Sequence, residues 1–213
     1  MKLRFKISVS LDGFVAGPSQ SVEDPLGIGG EGLHDWAFQL AVFRRLLGGE
    51  GGDVNESTPV VEESFANIGA TVMGRNMFGG HPGPWDARDP WKGWWGVDPP
   101  FHHPVFVLTH HARAPLQLEG GTTFTFVTTG IETALDLARR AAGGKDVSLA
   151  GGAKAAQQYL AAGLVDEMEL NVVPMLLGGG ERLFDGVGDD LRGLELVRTV
   201  GTPRVTHLKF GRR

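Results

Sequence analysis

The chain has 213 residues, 41% hydrophobic and 21% charged, with a net charge of −5. That is enough apolar material for one globular domain with a sizeable core, and residues 1–213 are read as a single domain. The acidic balance excludes the basic stripe of a nucleic-acid binder, the lack of cysteine excludes disulfides and thiolate chemistry, and no apolar run is long enough to span a membrane. The N-terminus has no apolar signal core, so a cytoplasmic protein is expected and the Asn55-Glu56-Ser57 glycosylation pattern is discounted.

Taken in order, Lys2 to Ser10 alternates, with Leu3, Phe5, Ile7 and Val9 on one face and Lys2, Arg4, Lys6 and Ser8 on the other, a strand signal. Asp12-Gly13 turns the chain before the small apolar patch Phe14-Val15-Ala16. Gly27, Gly29 and Gly32 match G-x-G-x-x-G, but Glu23-Asp24-Pro25 precedes them instead of a strand, so they are not a dinucleotide fingerprint. Asp35 to Leu47 is predicted as a helix with Trp36, Leu40, Phe43 and Leu47 in one stripe. Ser57-Thr58-Pro59 reads as a cap and first turn of a second helix running to about Ile68, with Val61, Phe65 and Ile68 inward and Glu62 and Glu63 favouring the dipole.

Ala70 to Gly74 is a short predicted strand with Arg75-Asn76-Met77-Phe78 at its carboxyl end. Gly79 to Pro100 is a long loop carrying Trp85, Trp91, Trp94 and Trp95, which fits a lid over a ligand and equally a satellite cluster pinned by tryptophans. Strands are predicted at Pro104–Thr109 and Thr123–Thr128, a helix at Gly130–Ala142, a strand at Val165–Val173 and a closing hairpin of Leu194–Val200 with Val205–Phe210. The sequence VSLAGGAKAAQQYL, Val147 to Leu160, reads as strand, glycine turn and helix. It fits an ordinary βα turn, and it also fits a phosphate seat made of the first helix amides. Helices alternate with strands and strands close the chain, which predicts an α/β domain with a mostly parallel sheet and an antiparallel edge.

The seven histidines lack metal-ligand spacing, so no metal is expected, and neither a G-x-S-x-G elbow nor a Walker lysine loop is present. Three strand ends offer ligand groups: Gly74-Arg75-Asn76, Thr109-His110-His111 with Arg113, and Ala150-Gly151-Gly152. If these strands are parallel neighbours, the ends converge on one sheet edge. Arg75 suits either a surface salt bridge or a phosphate contact, the latter worth roughly 1.5–3 kcal/mol, about ten- to a hundred-fold in affinity.

Five segments in order, SVSLDGFVAG, TVMGRNMF, VFVLTH, VSLAGGAKAAQQYL and VDEMELNVVPMLLGGGERLF, resemble the dihydrofolate reductase-like family, in the branch similar to the C-terminal reductase domain of bifunctional riboflavin biosynthesis proteins. The resemblance implies a three-layer α/β/α fold with a mostly parallel central sheet and an antiparallel C-terminal edge hairpin. It also implies NADPH as hydride donor. Ser8, Val15 and Ala16 would flank the nicotinamide; Gly74, Arg75, Asn76 and Met77 would meet the pyrophosphate and 2′-phosphate side. Thr109, His110 and Arg113 would lie along the adenosine, and Ala150, Gly151, Gly152, Ala153 and Lys154 would wrap the pyrophosphate and nicotinamide ribose. Trp36 resembles the tryptophan beside the pterin site. The helix carboxylate of dihydrofolate reductases has no match in register: Glu62 is nearest after a gap, Asp35 is second, and Asn171 falls on the strand facing that pocket.

The expectation is a reductase of a C=N or C=O bond in a small pyrimidine- or pterin-like substrate, with a nucleotide-binding module lacking turnover as the alternative. A homodimer paired through the C-terminal strand edge is also expected.

Overall fold

The structure, a computed structural model, describes residues 1–86, 88, 91–189, 191 and 193–212. Its strands are β1 (Leu3–Ser10), β2 (Phe14–Ala16), β3 (Ile68–Gly74), β4 (Pro104–Leu108), β5 (Leu116–Gln117), β6 (Thr123–Val127), β7 (Asp146–Gly151), β8 (Glu167–Val173), β9 (Glu181–Arg182), β10 (Leu194–Gly201) and β11 (Thr206–Arg212). The helices are α1 (Asp35–Phe38), α2 (Ala41–Leu46), α3 (Ser57–Phe65), α4 (Arg75–Phe78), α5 (Ile131–Ala141) and α6 (Ala153–Ala161).

Among the described residues, nine strands form one sheet in the order β10-β11-β8-β1-β7-β3-β4-β6-β5, with β2 and β9 pairing separately. The six strands from β8 to β6 run parallel, whereas β11, β10 and β5 are antiparallel to their neighbours. The predicted mixed sheet with an antiparallel edge is therefore present. Parallel strands need crossovers, and α5 and α6 supply two of them, packing on β3, β4 and β7. Leu3, Phe5, Val72, Val147, Leu149, Met168, Ala134, Leu135, Ala138, Ala156 and Tyr159 are buried together there, as the inward faces predicted for α5 require.

The remaining hydrophobic material forms two further clusters. One gathers Trp36, Leu40, Val42, Val61, Val173 and Val205 from α1–α3 with the break between the first two, the end of β8 and the hairpin turn. The other gathers Met73, Phe78, Val105, Val107, Phe124 and Phe126, with Trp85, Trp91, Trp95 and Phe101 from the long loop against them.

Three expectations need correction. The helix predicted over Asp35–Leu47 is broken at Leu40, whose backbone is extended (φ −76°, ψ 133°). Tertiary bonds cause the break: Asp53 N donates to Gln39 O and Ala41 N donates to Asp53 O, pulling the chain into a bridge. In α3 the N-cap residue is Glu56, which makes no side-chain cap bond, and Ser57 does not cap; the entry is instead fixed by Asn55, whose Oδ1 accepts from Ser57 N at 2.8 Å. Finally, Phe65 is exposed because Val60 and Val61 face the core from that helix. β5 and β9, each two residues long, had no sequence signal.

At the hairpin edge, Leu196 and Val197 of β10 are exposed. No helix among the described residues is long and apolar enough to cross a membrane.

Candidate functional site

The site begins at β7. Val147, Leu149 and Gly151 face inward on this strand, and the chain then enters α6 through Gly152. Gly151 has φ +123°, which L side chains rarely adopt. The first bond inside α6 runs from Ala156 N to Gly152 O, so the amides of Ala153, Lys154 and Ala155 precede the helical ladder. A Cβ at Gly152 would find nothing nearer than Asn76 Cβ at 4.0 Å, so the turn is open on that side.

Around this turn lies a cavity of about 390 Å³. It is lined by Gly74, Arg75 and Asn76 after β3, Thr109, His110 and His111 after β4, Thr128 and Gly130 after β6, and Gly152 to Ala155 after β7. The tips after residues 74, 109 and 150 do converge. β3 pairs with both β4 and β7, so their carboxyl ends are adjacent in the sheet. Amide donors, a helix N-terminus, the exposed Lys154 and histidine side chains in one cavity suit an anionic ligand. The tip of β6, Val127 to Ile131, completes the wall and was not anticipated; the glycine at position 130, between the predicted strand and helix, was the available sign, and it adopts φ +98°.

Arg75 lines this cavity, but its guanidinium is already engaged. It donates to the carbonyls of Gly79 and His81 and lies 3.4 Å from the centre of the Trp85 ring. Burial, with Arg113 adding repulsion, lowers its pKa to about 10. Arg113 donates to Trp91 O and stacks 4.9 Å from the same Trp85 ring, so it belongs to the tryptophan cluster and does not line the cavity. The long loop is thus pinned by tryptophans, and through Pro82 and Gly83 it also borders the cavity.

A second cavity, of about 420 Å³, lies over the sheet face that carries Lys6, Thr71, Ser148, Ala150 and Glu169, between α3 and the tryptophan loop. Met77 and Ala150 line it, while Asn76, next to Met77, and Gly152, two residues beyond Ala150, line the first cavity, so the two spaces flank one turn. Its walls are apolar (Phe43, Leu46, Leu47, Phe65, Trp95, Phe101) and its floor is charged. Glu63 of α3 binds Arg198 and Lys209 at 2.5 Å each. Burial opposes the Glu63 carboxylate, but the hydrogen bonds from Lys209 and Arg198 prevail and hold its pKa below the usual range. Lys6 donates to Ser64 Oγ at 2.9 Å, and burial, with Arg4 acting the same way, lowers its pKa to about 7.

The two carboxylates singled out in the sequence are elsewhere. Glu62 and Asp35 are exposed and line neither cavity, because Val61 and Trp36 take the inward positions beside them. Lys6 and Glu169 were not anticipated; a charged residue on strands otherwise bound for the interior was the signal. Ser8, Val15 and Ala16 are buried and line neither large cavity.

Ser8 accepts from Trp36 Nε1 at 3.2 Å, and Trp36 packs edge-on to His207, with ring centres 5.0 Å apart. His207 is fully buried. Asn171 Oδ1 can only accept, so His207 Nδ1 donates to it at 2.7 Å and Nε2 accepts from Ser57 Oγ at 2.8 Å. The Asn171 side-chain oxygen is therefore engaged by His207.

Burial pushes His207 down to about 4, and Arg198 acts in the same sense. A folded-state pKa below the unfolded value of about 6.5 means that the unfolded chain binds the proton first. The stability His207 protects is complete above about pH 6.5 and is lost as the pH falls toward 4, by about 1.4 kcal/mol per pH unit. His207→Gln should reduce the acid-side slope of unfolding free energy by about that amount, as read from urea transitions between about pH 6.5 and 4.5. An unchanged slope would mean that His207 is protonated in the fold.

The sequence matches the RibD C-terminal domain family over residues 1–208. No curated protein matches it. Among solved structures, it is similar to a putative riboflavin biosynthesis protein from Shewanella sp. PV-4, at 20% identity and a TM-score of 0.62, covering 100% of this chain and 99% of that one. It is also similar to dihydrofolate reductase from Enterococcus faecalis complexed with NADP(H), at 14% identity and a TM-score of 0.52, covering 99% and 96%. Acinetobacter baumannii RibD matches at 18% identity and a TM-score of 0.56, over 99% of this chain and 57% of that one. The fold is dihydrofolate reductase-like, and the chain belongs to the RibD C-terminal domain family.

Proposed function

We propose that this chain is an NADPH-dependent reductase that transfers hydride to a C=N or C=O bond of a small heterocycle of pyrimidine or pterin type. The observation that supports this most is the pair of cavities of about 390 and 420 Å³ flanking the Ala150–Gly152 turn. One suits a dinucleotide, and the other suits a flat substrate of modest size.

The residues fit the cofactor. The amides of Ala153 to Ala155 and the ammonium of Lys154 would hold the pyrophosphate, with Thr109, His110 and Thr128 along the adenosine side. When bound, NADPH supplies the hydride. The chain's own work is positional: Met77 and Ala150 border the substrate cavity, and its apolar walls offer faces for a flat ring. Lys6, poised to about 7 on the floor, is placed to hold a proton near the substrate.

The test is a titration with NADPH followed by nicotinamide fluorescence, then by NADPH oxidation with candidate acceptors. Saturable binding and acceptor-dependent oxidation are expected. Saturable binding without oxidation across pyrimidine and pterin acceptors would favour a nucleotide-binding module. No binding at millimolar cofactor would end the reading.

A further inference from the structure

The floor of the 420 Å³ cavity holds one group that the fold leaves unexplained. Glu169 on β8 is 8% exposed and lines the cavity. Its Oε2 accepts from Arg198 Nη2 at 3.1 Å, while Oε1 is buried and, among the described residues, has no hydrogen-bond partner. Buried carboxylate oxygens are ordinarily satisfied, because each lost contact with water must be replaced. The missing donor is therefore to be sought in what occupies the cavity.

Lys6 on β1 stands directly beside Glu169 in the sheet register. Its Nζ donates to Ser64 Oγ and lies 3.7 Å from the Phe65 ring centre, and among the described residues it forms no ion pair. An ammonium has three donors, so two remain. The other charges around the floor are committed to each other: Lys209 to Glu63 and Glu167, and Arg198 to Glu63 and Glu169. An acceptor and a donor thus stand side by side, feeling each other's charge but, among the described residues, with no hydrogen bond or ion pair between them, beneath apolar walls. In the register Phe5 pairs with Leu149, so Lys6 is level with Ala150 at the turn shared by the two cavities.

We propose that Glu169 is the specificity-determining residue of this cavity: its Oε1 accepts an N–H from a flat amide-containing ring, while Lys6 Nζ donates to the adjacent carbonyl oxygen. The assignment deepens the reductase reading and rests on it for the cavity being the substrate's. Burial raises the Glu169 pKa, with Arg198 and Lys209 opposing, and this is consistent with a carboxylate awaiting a donor.

The test uses the full chain and two probes, isocytosine, which carries N–H beside C=O, and its N3-methyl derivative, titrated by calorimetry. The wild type should bind isocytosine and disfavour the methylated ring by tenfold or more, the range for losing a hydrogen bond to a charged group. Glu169→Gln should erase most of that preference, and Lys6→Met should weaken binding of both probes by about tenfold. NADPH titration of each variant, expected to stay within about twofold of wild type, checks the fold and the cofactor site. No isocytosine binding, equal binding of the two probes by wild type, or an intact preference in a Glu169→Gln protein that still binds NADPH would each overturn the assignment. If Glu169→Gln does not fold, the wild-type comparison and Lys6→Met decide. Probe discrimination without NADPH binding would sink the reductase reading and leave the Glu169 pair standing.

Discussion

Lys154→Glu is expected to weaken NADPH binding by about a hundredfold without destabilising the protein. Lys154 is exposed on the first turn of α6 and lines the 390 Å³ cavity, with no ion pair among the described residues. Reversing its charge removes a charge-assisted contact worth roughly 1.5–3 kcal/mol and adds repulsion toward a pyrophosphate. The same carboxylate stands at the positive end of the helix dipole, where it is mildly favourable, so the melting temperature should hold or rise slightly. Affinity and stability thus move independently, which separates loss of a ligand contact from general damage. Fluorescence titration at low salt should show the full loss, and added salt should narrow the gap as the exposed charges are screened. An unchanged Kd would mean that the ligand does not cross the start of α6.

The second large effect is structural. Phe78 is fully buried, and its ring packs edge-on to Phe124, Phe126 and Trp85, with centres 5.0, 5.3 and 5.8 Å away. Its carbonyl accepts from Trp91 Nε1 at 2.8 Å, so one residue ties the end of α4 to two of the loop's tryptophans. The next residue, Gly79, allows no side chain: a Cβ there would meet the Trp94 ring at 2.3 Å. Phe78→Ala removes the centre of this cluster and should cost about 3–5 kcal/mol. For a chain of this length that is a fall in melting temperature of about 10 °C or more. The Trp85 ring, which stacks on Arg75, should loosen with it, and Trp fluorescence should shift toward that of exposed indole. A fall of less than about 3 °C would mean that the loop is held by other contacts.

What the sequence disclosed, and what it did not, follows from the range of the forces involved. The turn after β7 was legible because Val147, Leu149 and the paired glycines act locally, and the run of parallel strands was legible because each is a short apolar segment, as in β4, or an alternating one, as in β1. The break at Leu40 was hidden because an unbroken apolar stripe continues through it, and the interruption comes from Asp53, thirteen residues away in the chain. The acidic group fared similarly. A helix register set by Val60 and Val61 turns Glu62 to solvent and Glu63 toward Arg198 and Lys209. The carboxylate with an open valence, Glu169, is on a strand across the sheet, and only the burial of that face by α3 and the tryptophan loop gives it meaning.

Amide hydrogen exchange with and without NADPH addresses the central claim, that separate strand tips jointly hold a reduced dinucleotide. Added NADPH should slow exchange together at residues 74–77, 109–111, 128–131 and 151–155, and leave the hairpin of β10 and β11 unchanged. Protection confined to one of these segments, or appearing only outside them, would contradict the account.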